Sequence, residues 1–247
     1  MWYLAGGAVA LVAVVLVAVI ALGGGKPSTG PSSTGPSVGP TTPTTPPSPS
    51  VTPVSGTTVY TDDFTDHTQF SVTSTDNYDL SYDGDAYKML IVADQYRVSA
   101  GSPTELDDLG DVGIDVTLFK LSGPDTGHYG VFCGYQDIDN FYFLGLSGGG
   151  EAFIAKYTKG DDKVLARHVD PSLSGHFVRF RAECSTSPDG LTKTLRIFVG
   201  GSLLAEATDE GSTPADLYPT GRVTVGVITT NDGNLAALYD DLDVESI

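Results

Sequence analysis

Residues 127–157 read GHYGVFCGYQDIDNFYFLGLSGGGEAFIAKY, and this stretch decides the fold. Val131, Cys133 and Tyr135 alternate with Phe132, Gly134 and Gln136. Asp137-Ile138-Asp139-Asn140 makes a turn, 141–146 is a second run rich in aromatics, Ser147-Gly148-Gly149-Gly150 turns again, and 152–157 is a third run. Period-two alternation bounded by Asp, Asn and Gly clusters is the signature of strands joined by tight turns. The stretch therefore reads as a three-strand antiparallel meander. Such a meander cannot bury its apolar face alone, so the rest of the chain must supply a second sheet.

The pattern continues on both sides. Residues 58–60 lead into Asp62-Asp63-Phe64. Residues 77–82 and 86–93 flank Asp83-Gly84, and Asp-Gly between alternating apolar runs is a strong hairpin signal. A long strand follows at 111–121, DVGIDVTLFKL. Beyond the meander come 163–168, 177–184, the hairpin 194–208 around Gly200-Gly201, and two closing strands at 222–229 and 235–244. About a dozen strands at such spacing, with little room for helix beyond a turn at 214–218, mean an all-β sandwich or barrel. Unequal strand lengths and the likeness of the domain's two ends favour a two-sheet antiparallel sandwich.

Charge divides the chain. Residues 1–56 hold no Asp or Glu and one basic residue, Lys26; from Asp62 onward 12 basic residues face 31 acidic ones, a balance of −19. That sign excludes a nucleic-acid-binding face, which must be basic, and disfavours docking on anionic headgroups. Of the acids 25 are Asp, which suits a protein rich in turns and strand ends.

Residues 2–22 carry no charge and, at about 1.5 Å per residue, span roughly 30 Å, the thickness of a bilayer's hydrocarbon core. A cleaved signal peptide is the competing reading. It needs a basic n-region, yet neither Lys nor Arg precedes the run, and Ala21-Leu22-Gly23 is a poor cleavage site. An uncleaved anchor over 1–25 is favoured. Residues 26–56 are rich in Pro, Ser, Thr and Gly. They cannot form a core and read as an extended linker. The folded domain is then 57–247. The linker and the cysteines place this domain outside the cell, although Lys26 alone would pull the other way.

Cys133 and Cys184 are the only cysteines, each inside an expected strand. Two readings are open: buried free thiols, or a disulfide between neighbouring strands, which an oxidising compartment favours. The acids at the two ends, Asp62 and Asp63 with Asp240 and Asp241, come together if the first and last strands pair. Clustered carboxylates repel unless a cation or backbone donors compensate. A structural Ca²⁺ bound by hard oxygens is one reading; capped turn acids are the other.

The order DDF, then the long D-V-x-I-D-V-T strand, GVFCGYQDIDNFYFL, I-A-K-Y, V-R-F-R-A-E-C, LRIFVGGSLLAEATD and a terminal YDDLDV resembles the concanavalin A-like, laminin-G-like jelly-roll domains of bacterial membrane-anchored surface proteins. The resemblance covers residues 57–247. It implies two packed sheets, a Cys133–Cys184 disulfide, and a hairpin at Val199-Gly200-Gly201-Ser202 where relatives usually carry Val-Asn-Gly. It also implies recognition of carbohydrate. One departure matters: Trp2 is the sole tryptophan, so this domain offers Tyr and Phe alone for stacking on sugar rings. The polar and aromatic groups of the meander, Tyr135, Gln136, Asp137, Asp139, Asn140, Tyr142 and Tyr157, are the candidate ligand surface.

Catalytic patterns are missing from the sequence. Asp111 and Asp115 are the nearest approach to a glycosidase pair, but four positions of strand hold them about 13 Å apart, against about 5–5.5 Å for a retaining pair. They read as solvent-facing acids. His67, His128, His168 and His176 are scattered, with no HExxH, and no GxSxG elbow occurs. The expectation is a single-pass, membrane-anchored extracellular module that binds carbohydrate and is not an enzyme. A protein-binding sensor or adhesin ectodomain and a diverged glycoside hydrolase are the alternatives.

Overall fold

The structure, a computed structural model, describes residues 51–230 and 233–247. The run 2–22 and the linker up to 50 lie outside the described residues. Among the described residues no helix is long and apolar enough to cross a membrane.

Among the described residues fifteen strands carry the fold: β1 (Thr57–Asp62), β2 (Thr73–Ser74), β3 (Tyr78–Asp83), β4 (Ala86–Ile91), β5 (Arg97–Ser99), β6 (Val112–Ser122), β7 (His128–Asp137), β8 (Asn140–Ser147), β9 (Glu151–Thr158), β10 (Asp161–Val169), β11 (Val178–Thr186), β12 (Thr192–Val199), β13 (Ser202–Glu210), β14 (Arg222–Ile228) and β15 (Leu235–Ser246). Among the described residues helix is limited to three short 3₁₀ turns, one of them at Pro214–Leu217. The strands form two antiparallel sheets. One is nine-stranded, in the order β13-β12-β11-β6-β15-β4-β3-β2, with β1 paired to β15; the other is six-stranded, in the order β10-β9-β8-β7-β14-β5. The meander β7-β8-β9 is the middle of the six-stranded sheet.

Period-two alternation turns one face of each strand inward. Ile114, Val116 and Leu118 of β6 share one buried core with Val131, Leu144, Ile154 and Val225 of the other sheet. Burying a side chain of this size stabilises the fold by about 1.5–3 kcal/mol. The Tyr239 hydroxyl, at the centre of this core, donates to the Gly226 carbonyl at 2.6 Å, so a buried polar group finds its partner across the two sheets.

Three expectations are corrected. Cys133 and Cys184 are bonded, with Cα atoms 6.7 Å apart, but β7 and β11 belong to different sheets. The bond joins facing sheets rather than neighbouring strands. Second, Tyr135 does not share a face with Val131 and Cys133. Gly134 has φ +57° and the β7–β14 register slips beside it, so this bulge turns Tyr135 to the opposite face, against Phe132. Only glycine fits there, because a Cβ would fall 2.7 Å from the Tyr218 carbonyl oxygen. Third, the acids on the long strand do not simply face solvent. Asp111 Oδ1 accepts from the Thr186 amide at 2.7 Å, and Asp115 pairs with Arg181.

Arg181 also holds the start of the domain. Its guanidinium donates to Glu183 (3.1 Å), Glu245 (2.9 Å) and the Val54 carbonyl. Glu183 in turn accepts from the Val54 amide at 2.6 Å. Residues 54–56, read from composition as the end of the linker, are thus tied to the nine-stranded sheet.

Candidate functional site

The outer face of the six-stranded sheet carries a second apolar cluster: Phe132, Phe141, Phe143, Phe153, Ala155, Tyr157 and Ile228. Phe132 fits because it lies over Gly226, where a Cβ would fall 1.6 Å from the ring. Polar groups gather around this cluster. Arg97, on β5, donates to the Gly160 carbonyl at 3.1 Å and to Asp139 Oδ1 at 3.0 Å, and stands 5.1 Å from the Tyr157 ring centroid. Strands spaced about 4.8 Å apart would put β5 and β9 roughly 19 Å apart in a flat sheet, far more than one arginine spans. The sheet therefore curls, and the turn after β9 folds toward β5.

At the other end of the face His128 lies flat on Phe153, with ring centroids 4.2 Å apart. His128 is 4% exposed, and neither of its ring nitrogens has a hydrogen-bond partner among the described residues. Glu151 Oε2 approaches Nε2 to 3.5 Å, a charge contact without hydrogen-bond geometry. Burial pushes the His128 pKa down against the opposing pull of Glu151, so the ring is neutral near pH 7, with one donor and one acceptor. Arg167 pairs with Glu151 at 3.3 Å and sits 5.1 Å from the Phe153 centroid.

Two cavities adjoin here. One, of about 360 Å³, is lined by Gln95, Arg97, His128, Phe153, Tyr157 and Arg167 among others. The second, of about 420 Å³, includes Asp125, Thr126, His128, Ser147, Glu151 and Arg167. They share His128, Arg167 and Thr230 and form two lobes of one trough.

The residues singled out from sequence scatter. Tyr157 floors the first lobe, and Asp139 borders the face through Arg97. Asn140 holds its own hairpin: Nδ2 donates to Asp137 at 2.8 Å and Oδ1 accepts from the Lys159 amide at 3.0 Å. Tyr135 and Gln136 line a separate cavity of about 280 Å³ beside Asp107 and Arg222. Tyr142 is fully buried, and its hydroxyl donates to Asp209 at 2.9 Å. That carboxylate also takes Lys156 (2.7 Å) and Lys163 (2.9 Å), which tie β13 to the facing sheet. Tyr142 has no surface to offer a ligand. The residues sequence reasoning missed are Arg97, His128, Phe153 and Arg167. Alternation places His128 on the same face as Phe132, but a lone histidine in a strand carries no motif.

The first and last strands do pair, Thr61 with Asp243 and Asp62 with Leu242. Asp62, Asp63, Asp66, Asp241 and Asp243 line a cleft of about 880 Å³ with Arg179; Asp240 is not part of that lining. Asp62 accepts from the Phe64 amide (2.7 Å) and the Tyr60 hydroxyl (2.8 Å), Asp63 from Thr65, and Asp240 from the Asp241 amide (2.8 Å). Protein donors thus compensate these carboxylates. Among the described residues no group of three His, Cys, Asp or Glu side chains is arranged to hold a metal.

No family model matches this chain, and no curated protein matches it. Solved structures do. A protein of unknown function with a galectin-like fold from Bacillus subtilis aligns at TM-score 0.52 and 13% identity, covering 77% of this chain and 96% of that one. The GH43 BlXynB protein from Bacillus licheniformis aligns at TM-score 0.53 and 15% identity over 76% of this chain, but over 39% of its own length. The carbohydrate binding module CBM66 from Bacillus subtilis aligns at TM-score 0.42 and 14% identity over 77% of this chain and 94% of that one. At these identities the likeness extends to the fold and not to a ligand. The chain is thus an all-β, two-sheet antiparallel sandwich of jelly-roll type.

Proposed function

We propose that this chain is a carbohydrate-binding module of the concanavalin A-like, laminin-G-like kind, and that the trough at His128 is its site. The observation that carries the reading is the His128 ring: buried, stacked on Phe153 beside Arg167 and Glu151, with neither nitrogen holding a hydrogen-bond partner among the described residues. Leaving a buried polar group unpaired costs about 1–3 kcal/mol, and a ligand hydroxyl would relieve that cost. A sugar offers hydroxyls to His128 and to the guanidinium groups of Arg97 and Arg167 that cover Tyr157 and Phe153. The galectin-like and GH43 structures support the scaffold; the geometry of the trough supports the ligand class. The apolar run 2–22 and the linker, read from sequence, support display of the module outside a membrane. Binding without catalysis fits Asp111 and Asp115, whose carboxylates are occupied by Thr186 and Arg181.

A protein-binding role is favoured by one other observation. Phe119 and Phe177 stack at 4.1 Å, and Phe177 is 65% exposed. The two readings separate on a glycan array probed with the full chain, its His128→Ala variant and its Phe177→Ala variant. The carbohydrate reading expects glycan signal that disappears in His128→Ala and survives in Phe177→Ala. Absence of signal on every glycan overturns it.

A further inference from the structure

The trough's shape and charge say which carbohydrate fits, an inference that rests on the reading above. We infer that it takes an uncharged glycan chain, laid along β9 and bound through an internal segment, rather than an acidic polysaccharide or a single terminal sugar.

Length is the first argument. Tyr157 and Phe153 line one lobe, and Glu151 lines the other. All three come from β9, and the six steps of strand from Glu151 to Tyr157 cover roughly 20 Å. That is the length of several pyranose rings. The lobes meet at His128 and Arg167, so a ligand filling both must pass over them. At this crossing lies His128, whose two ring nitrogens are buried and without a hydrogen-bond partner among the described residues.

Charge is the second. Each guanidinium in the trough already has a carboxylate: Arg97 has Asp139 at 3.0 Å, and Arg167 has Glu151 at 3.3 Å. Asp162 and Asp125 add two further acids to the lining. Two guanidinium groups therefore stand against four carboxylates, inside a domain whose balance is −19. A uronate or sulfate that accepted from the remaining N–H groups of either arginine would sit beside its paired carboxylate, against that charge and the field of the whole domain. A vicinal diol has no such conflict. It can accept from a guanidinium and donate to the paired carboxylate at once, so uncharged sugars use the ion pairs as they stand.

The test is affinity measured by calorimetry on the full chain. The probes are gluco- and xylo-oligosaccharides of one to six rings, with oligogalacturonates of the same lengths. Expected is at least about a tenfold gain in affinity from one ring to four, with the uronates at least about tenfold weaker than the uncharged chains at equal length. His128→Ala should remove the gain with length. His128→Gln keeps a donor and an acceptor and should retain part of it, which separates lost contact from lost folding. Uronates binding as tightly as uncharged chains, or one ring binding as tightly as four, overturns this inference and leaves the carbohydrate reading standing. No binding by any sugar overturns both.

Discussion

The His128 ring lies on Phe153, with centroids 4.2 Å and planes 25° apart, and the stack leaves both ring nitrogens without a hydrogen-bond partner among the described residues. This pairing packs well as two rings and poorly as a polar group in an apolar setting. His128→Phe keeps the stack and removes the unpaired nitrogens. It should raise stability by about 1–2 kcal/mol while abolishing glycan binding. Urea denaturation and the glycan array read the two effects separately. Loss of stability in His128→Phe would show that the ring nitrogens are satisfied after all.

The same ring makes stability depend on pH. In the unfolded chain a histidine titrates near 6.5, whereas burial lowers the folded value, with Glu151 pulling it up and Arg167 pushing it down. Between the two values the unfolded state binds more protons, so stability falls as pH drops below about 6.5. The difference in melting midpoint between the protein and His128→Phe should therefore widen from pH 7 to pH 5. A constant difference contradicts this.

Lys193 is 1% exposed, and its Nζ donates to Thr186 Oγ1 at 3.1 Å. Burial lowers its pKa to about 8, although Asp111 opposes the shift. Here too the unfolded state binds more protons, now across pH 8 to 10, so stability rises over that window. The full effect is about 3 kcal/mol, from a shift of roughly 2.5 pH units. Lys193→Met should flatten the rise. Measuring below pH 10 avoids tyrosine ionisation, and equal slopes in both proteins would refute the assignment.

Cys133 and Cys184 close a loop with a sequence separation of 51, and on the chain-entropy account a loop of that size is worth about 4 kcal/mol. Reduction, or Cys133→Ala with Cys184→Ala, should lower the denaturation midpoint by a matching amount. A shift below about 1 kcal/mol would mean that the sheets hold their register without the bond.

The clustered acids give a prediction on metal removal. A Ca²⁺ held at 100 times its dissociation constant would add about 2.7 kcal/mol. Because Asp62, Asp63 and Asp240 take protein donors, a chelator should leave the melting midpoint unchanged. A fall on chelation, reversed by added Ca²⁺, would support the calcium reading.

Much of the fold is legible in the chain because alternation is a local property. The runs at 77–82, 86–93 and 111–121 and the three strands of the meander fall where the pattern puts them. Two strands escape it. β2 has two residues and β5 three, too few to show a period of two. The loss matters because β5 brings Arg97 to the trough. The bulge at Gly134 misleads in another way: one extra residue turns Tyr135 to the other face, and no local pattern records it.

Sequence by itself determined that this chain makes strands, that it needs two sheets, that it carries none of the familiar catalytic motifs, and that its two cysteines lie in strands. Tertiary structure alone decided which strands are neighbours, that the disulfide crosses from sheet to sheet, that Tyr142 is buried, and that Arg97, His128, Phe153 and Arg167 share one trough. The reason is physical. A strand's own residues fix which side chains share a face, but the neighbours of that face come from pairings between residues as far apart as 57 and 246, and from a curl that no single strand contains.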